Sequence, residues 1–313
     1  MSHASTSASA VIETHDLTKR YGSKHLALDG LDLTVRAGEV YGLIGPNGAG
    51  KTTFLRLILG LIRPTRGDAT VLGQPAGTSA SLREVGAVVE VPAFYPYLSG
   101  NDNLKVVARY SGHDPARIPE ALDRVGLADR GRDKVGGYSL GMKQRLGLAA
   151  AFLKDPQLYL LDEPTNGLDP HGIAAMRGII RDLADEGRTV LLSSHLLAEV
   201  EAVCDRIGII HHGRLLLEET MGAMRGVGRL RIVAAPADRA EEILRAQPGV
   251  AAVERVDGAF LVSTDAGNAP ALNRALVAAG VEVSELRVAA RTLEEAFMTL
   301  TGEPAGPAAA MGS

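Results

Sequence analysis

The sequence predicts an α/β protein: a mostly parallel sheet carrying a helical insertion, followed by a small α+β domain. Three observations lead there. An apolar run, "VYGLI", enters the glycine-rich stretch "GPNGAGKTT" and is followed at once by a helical pattern. Two more continuous apolar runs, "LYLLDEP" and "TVLLSSH", alternate with a helical pattern at 171–186, as strands buried on both faces do. From Gly226 the patterns run β-α-β-β-α-β, the split βαβ order.

Residues 11–44 hold three strand-like runs. In "ALDGLDLTV" the alternation puts Leu31, Leu33 and Val35 on one face. The helix from Lys51 carries Phe54, Leu55, Leu57, Ile58 and Leu61 at helical spacing, and Gly60 and Pro64 end it. "ATVLG" and "VGAVVE" read as short strands. Residues 92 to about 156 change character, with helical patterns at 101–111, 117–126 and 139–154 between Gly and Pro turns. The resulting domains are 11–225, with its helical part at about 92–156, and 226–302, with disordered ends at 1–10 and 303–313.

Composition narrows the partners. Net charge is −4, there is no Trp, and aromatics make up 4% of the 313 residues. Neither the charge nor the aromatic content suits a nucleic-acid surface, so no nucleic acid is expected as partner. The single cysteine, Cys204, allows no intramolecular disulfide; it is expected to be a buried thiol in a reducing, cytoplasmic protein. No uncharged apolar run approaches the roughly 18 residues that span a bilayer. If this protein works at a membrane, something else crosses it. The pair His211–His212, before Gly213, reads as a solvated hairpin turn.

The chemistry lies in four stretches. "GPNGAGKTT", Gly45, Pro46, Asn47, Gly48, Ala49, Gly50, Lys51, Thr52 and Thr53, matches G-x-x-x-x-G-K-[ST]. Such a loop wraps phosphates with backbone N–H groups, places a lysine on the β- and γ-phosphates, and offers a hydroxyl to Mg²⁺. "LYLLDEP" ends an apolar strand in Asp162, a carboxylate for Mg²⁺, and Glu163, a candidate to polarise a water. "YSLGMKQR" places Ser139 as N-cap of a helix, a second anion-binding helix start. "SSH" ends a buried strand with His195, within reach of a γ-phosphate. One chain then has two phosphate-binding helix starts and one phosphate loop, which a nucleotide sandwiched between two chains would explain.

In this order, the motifs resemble those of the ATP-binding cassette proteins of ABC transporters, over residues 11 to about 220. "GPNGAGKTT" corresponds to Walker A, "LYLLDEP" to Walker B, "YSLGM" (Ser139, Leu140, Gly141, Met142) to the signature, "GLDP" with Asp169 to the D-loop, and His195 to the switch histidine; Tyr21 in "KRYG" matches the aromatic that stacks on adenine. The tail domain, ferredoxin-like by its element order, and the signature variant resemble the bacitracin- and daunorubicin-resistance branch. Three positions depart from the common pattern: Leu140 and Met142 replace a Gly and a Gln of the signature, and Glu90 stands at the Q-loop glutamine, where it is expected to ligate Mg²⁺. The resemblance implies a P-loop ATPase fold and ATP hydrolysis with Mg²⁺. It also implies a homodimer or heterodimer of ATP-binding subunits, and a separate transmembrane permease on whose cytoplasmic side the chain sits as part of an exporter. Ser139 and Gly141 would then close the opposite subunit's site. The alternatives are a soluble ABC ATPase with a non-transport partner, and an importer ATPase. "VPAFYPYLSG", rich in aromatics for this chain, is the expected permease-facing junction, with a core placement of its tyrosines as the competing expectation.

Overall fold

The computed structural model describes residues 9–23, 25–90, 92–226, 229–289 and 293–302. The expected disordered ends therefore lie outside the described residues, except that Ala10 already begins the first strand. The chain forms two compact units, the first running to Glu218 and the second beginning at Glu219.

In the first unit, β1 (Ala10–Tyr21) and β2 (His25–Arg36) pair antiparallel. After β3 (Val40–Ile44) and α1 (Lys51–Ile58), β4 (Arg66–Val71) and β5 (Gln74–Pro75) complete a four-stranded sheet of order β2-β1-β4-β5. Leu31, Leu33 and Val35 are all buried, as their alternation requires. The short α2 (Ser79–Leu82) leads to β6 (Val85–Val88). The insertion follows: α3 (Gly100–Ser111), α4 (Ile118–Arg124) and α5 (Leu140–Phe152). Then come β7 (Leu158–Asp162), α6 (Pro170–Asp185), β8 (Thr189–Ser194), α7 (Leu197–Val203), β9 (Arg206–His211) and β10 (Arg214–Thr220).

The second sheet is six-stranded, of order β10-β9-β3-β8-β7-β6, with β9, β3, β8, β7 and β6 in parallel register. β3 and β8 are buried along their whole length, which accounts for their unbroken apolar runs. All parallel strands deliver their C-terminal ends to one edge, where ligands of such sheets bind. That edge carries the phosphate loop after β3, Asp162 after β7 and His195 after β8. Cys204 is buried, and desolvation pushes its thiol far up, so it is an inert packing group, as expected.

After α8 (Met221–Gly226), the second unit is built from β11 (Arg229–Ala235), α9 (Ala237–Ala246), β12 (Ala252–Val256), β13 (Ala259–Ser263), α10 (Ala269–Ala278) and β14 (Glu282–Ala289), closed by α11 (Leu293–Thr301). Its sheet is antiparallel, of order β12-β13-β11-β14, the ferredoxin-like topology that the element order implies. Leu230, Ile232, Phe260 and Val262 pack with Leu244, Leu272 and Leu276 of the two helices as a core of its own. The sequence reading places the change of domain at Gly226; the compact unit begins seven residues earlier, inside β10.

Candidate active site

Four helix starts of the first unit differ in how they are capped. Ser99, Ser139 and Asp169 accept amide hydrogens at the N-termini of α3, α5 and α6. At α1 the N-cap is Gly50, and no side chain caps the helix. Its first amides have no intrahelical acceptor, so they are available to an anion. Gly50 has φ 115, and a Cβ there would come within 2.6 Å of the Ala27 carbonyl. Only glycine fits, which gives the pattern's second glycine its physical reason.

Lys51 is 6% exposed. Its ammonium donates to the carbonyls of Gly45 (2.7 Å) and Pro46 (3.3 Å) and lies 3.1 Å from Glu163 Oε1. His195 Nδ1 is 2.7 Å from the other oxygen, Oε2. A carboxylate only accepts, so Nδ1 carries the proton that faces it. Glu163 is thus held between a lysine and a histidine. Its backbone has φ 47, a left-handed conformation that a glutamate adopts only when its surroundings enforce it. The Ser193 hydroxyl accepts the Glu163 amide (2.9 Å) and donates to Asp162 Oδ1 (2.6 Å). The parallel register of β7 with β8 places Asp162 opposite Ser193. On its other oxygen, Asp162 accepts from Thr52 Oγ1 at 2.8 Å.

Thr52 and Asp162 are hard oxygen donors beside the uncapped helix start. Among the described residues no three His, Cys, Asp or Glu side chains gather as an all-protein metal cage. This donor set fits Mg²⁺, which keeps its waters and binds through one or two protein oxygens and substrate phosphates.

The cleft over this cluster measures about 210 Å³, and its lining includes His25, Ala27, Asn47, Gly48, Lys51, Thr52, Thr53 and Glu163. Tyr21 stacks on His25, with ring centroids 6.1 Å apart, and is 38% exposed. Sequence reasoning missed His25 and the part played by Ser193; the "SSH" stretch contains the latter, but its role depends on strand register.

Glu90 does not join Thr52 and Asp162 as expected. Its carboxylate is more than half exposed and pairs with Arg56, the residue one helical turn beyond Thr52 on α1. Its backbone is left-handed, φ 64.

The signature residues lie in a different cleft of about 430 Å³, lined by Ser139, Leu140, Gly141, Leu168 and Asp169 among others, which shares no lining residue with the phosphate-loop cleft. The Ser139 hydroxyl accepts from the Met142 amide at 3.3 Å, and Asp169 accepts from Gly172 at 2.7 Å. Met142 sits within the first turn of α5, and Leu140 is 38% exposed at the cleft wall.

The sequence model of the ABC transporter family matches residues 28–166. The bacitracin transport ATP-binding protein BcrA of Bacillus licheniformis is 40% identical over 301 residues, covering 94% of this chain and 98% of that one. The lantibiotic transport ATP-binding protein SrtF of Streptococcus pyogenes is 42% identical over 209 residues, covering 67% of this chain and 90% of its own. Among solved structures, an ATP-binding subunit of an ABC transporter superposes with a TM-score of 0.62 at 33% identity, covering 69% of this chain and 92% of that chain. A dimeric ATP-binding cassette in a post-hydrolysis state, bound to ADP and Pi, gives 0.61 at 25% identity, with 67% and 98% covered. The chain belongs to the ATP-binding proteins of ABC transporters and is an ATPase of that family.

Proposed function

We propose that this chain is the ATP-hydrolysing subunit of an exporter, that it works as a dimer closed by ATP, and that it drives a separate membrane-spanning permease. The observation that carries the dimer is the separation of the two clefts. The phosphate loop and the signature each present part of a phosphate site, and one chain does not bring them together. In the dimer, the uncapped α1 amides and Lys51 bind the phosphates, and Ser139 and Gly141 of a second, identical or related, chain close over them. Gly141 carries no side chain on that approach.

In this reading Glu163 is the general base. Lys51 and His195 fix both of its oxygens, so a water on the γ-phosphate meets an oriented carboxylate. Thr52 and Asp162 would hold Mg²⁺, which would neutralise phosphate charge when bound. Tyr21 and His25 lie on the side where a base would stack.

Among the described residues no helix is long and apolar enough to cross a membrane. Tyr95 and Tyr97, 47% and 65% exposed with ring centroids 5.8 Å apart, supply a docking surface for the permease. Asn103, itself buried, pins that loop by accepting from the Tyr95 amide (2.8 Å) and donating to its carbonyl (3.1 Å). The exposure favours the junction reading over a core placement. The names of the bacitracin and lantibiotic transport relatives favour antibiotic export, at the cytoplasmic face of a membrane.

The test is Glu163→Gln, which keeps shape and hydrogen bonding but removes the base. Turnover is expected to fall by roughly 10²–10⁴. ATP binding persists and a dimer accumulates with ATP on gel filtration. An unchanged rate, or a monomer at saturating ATP, rejects the scheme.

A further inference from the structure

The last strand of the first unit is fastened at both ends to the machinery around the phosphate loop. At its start, the Gly213 amide donates to the Ala49 carbonyl (2.9 Å), inside the loop itself. The Gly213 carbonyl accepts from the Asp29 amide (2.9 Å), and Arg214 pairs with the Asp29 carboxylate at 2.6 Å. Gly213 has φ 78, and a Cβ there would come within 2.8 Å of the Ala27 carbonyl, whose residue lines the cleft. The turn therefore stitches the loop to the β2 wall of the site.

At the far end of β10, Glu218 accepts from the Tyr41 hydroxyl (3.0 Å) and pairs with Arg206 at 3.0 Å. Tyr41 is fully buried in β3, the strand that feeds the phosphate loop. Arg206 is 8% exposed, donates to the Thr34 carbonyl of β2 (2.8 Å), and lies 3.6 Å from Glu39. Burial, reinforced by Glu218, pushes the Tyr41 phenol well above its usual range, so it remains a donor at any physiological pH. A buried network of this kind fixes one arrangement of the strands it joins. Immediately beyond Glu218, β10 crosses into Glu219 and Thr220, the first residues of the second unit.

We propose that β10 is a positioning strap for the phosphate loop, held by Gly213 at the loop and by Glu218 on Tyr41 and Arg206, and that through it residues touching no nucleotide set the affinity for ATP. Glu218 and Tyr41 are positioning residues in this scheme. The proposal rests on the reading of the Lys51 loop as the ATP site, which loss of ATP binding in Lys51→Ala checks independently.

The experiment compares full-length Glu218→Ala, Glu218→Gln, Tyr41→Phe and the Tyr41→Phe/Glu218→Ala pair by ATP calorimetry, steady-state kinetics and melting. Glu218→Ala is expected to weaken ATP binding about tenfold, the size of losing one hydrogen bond to a charged group. KM rises with it, while kcat at saturating ATP stays within about twofold. Tyr41→Phe, which loses only a hydroxyl, shows a smaller loss in the same direction. The double variant is no weaker than Glu218→Ala, and Glu218→Gln, which can still accept both bonds, restores most of the affinity. Leu104→Ala, a buried leucine of α3, serves as a destabilised control with unchanged ATP affinity. Wild-type affinity in Glu218→Ala, additive losses in the double variant, or an equal loss in Leu104→Ala overturns the proposal.

Discussion

At the phosphate-loop cleft, side chains hold one another: Lys51 and His195 grip Glu163, Ser193 joins Glu163 to Asp162, and Asp162 takes the Thr52 hydroxyl. At the signature cleft, Ser139 and Asp169 each cap a helix of their own chain, and what faces outward is helix-start backbone with a glycine between leucines. The first cleft carries acid–base groups and donors for a cation. The second is lined by helix-start backbone together with Arg145, Asp169 and His171. In the proposed dimer these two clefts are unlike halves of one site, one for chemistry and one for closure.

The largest effect should come from disarming the chemical half. Lys51→Ala removes charge-assisted contacts of roughly 1.5–3 kcal/mol each. ATP binding by calorimetry and turnover both collapse while the melting curve keeps its cooperative shape. Normal ATP affinity in this variant would mean that the loop does not cradle phosphate.

That half was the more legible in the sequence, for a physical reason. A phosphate loop needs glycines, a lysine and a hydroxyl at fixed spacing within a few residues, so the motif is local. The helices and the buried strands were equally visible, because their apolar periods are local too. Pairings set by strand register were not. Ser193 reaches Asp162 only because β7 and β8 pair in parallel with those residues opposite. Glu90 stands where the resemblance implies a metal ligand, and its carboxylate pairs with Arg56, a contact no spacing rule announces. His25, the first residue of β2, lines the cleft, and no spacing rule announces that.

A smaller effect is expected away from both halves. Tyr95→Ala or Tyr97→Ala should weaken association with the permease by about 2 kcal/mol. Turnover of the isolated subunit is left nearly unchanged. Co-purification from membranes, alongside a melting curve, measures it. Full association in both variants moves the docking surface elsewhere and leaves the two halves of the site untouched.

The smallest effect concerns Glu39, whose carboxyl is raised above the usual range, chiefly by burial, against the lowering pull of the Arg36 amide and Arg206. A carboxyl raised on folding contributes stability that is fully present below its unfolded pKa and lost as pH rises through the folded value. Glu39→Gln, which keeps an acceptor without the charge, should raise the melting temperature by about 2 °C near pH 7 and lose that advantage near pH 4. An advantage that grows on acidification would contradict the assignment.

The central claim, that the chemical and the closing halves come from different chains, is tested most directly by mixing two dead variants. Lys51→Ala disables the phosphate loop and keeps the signature; Gly141→Glu disables the signature by placing a carboxylate on the phosphate approach and keeps the loop. Each alone should be nearly inactive. A mixed dimer contains one composite site with both halves intact, so ATPase activity should return when the two proteins are combined, rising with their product concentration. Activity of the mixture no greater than the sum of the separate proteins, with mixed dimers present, would contradict the account.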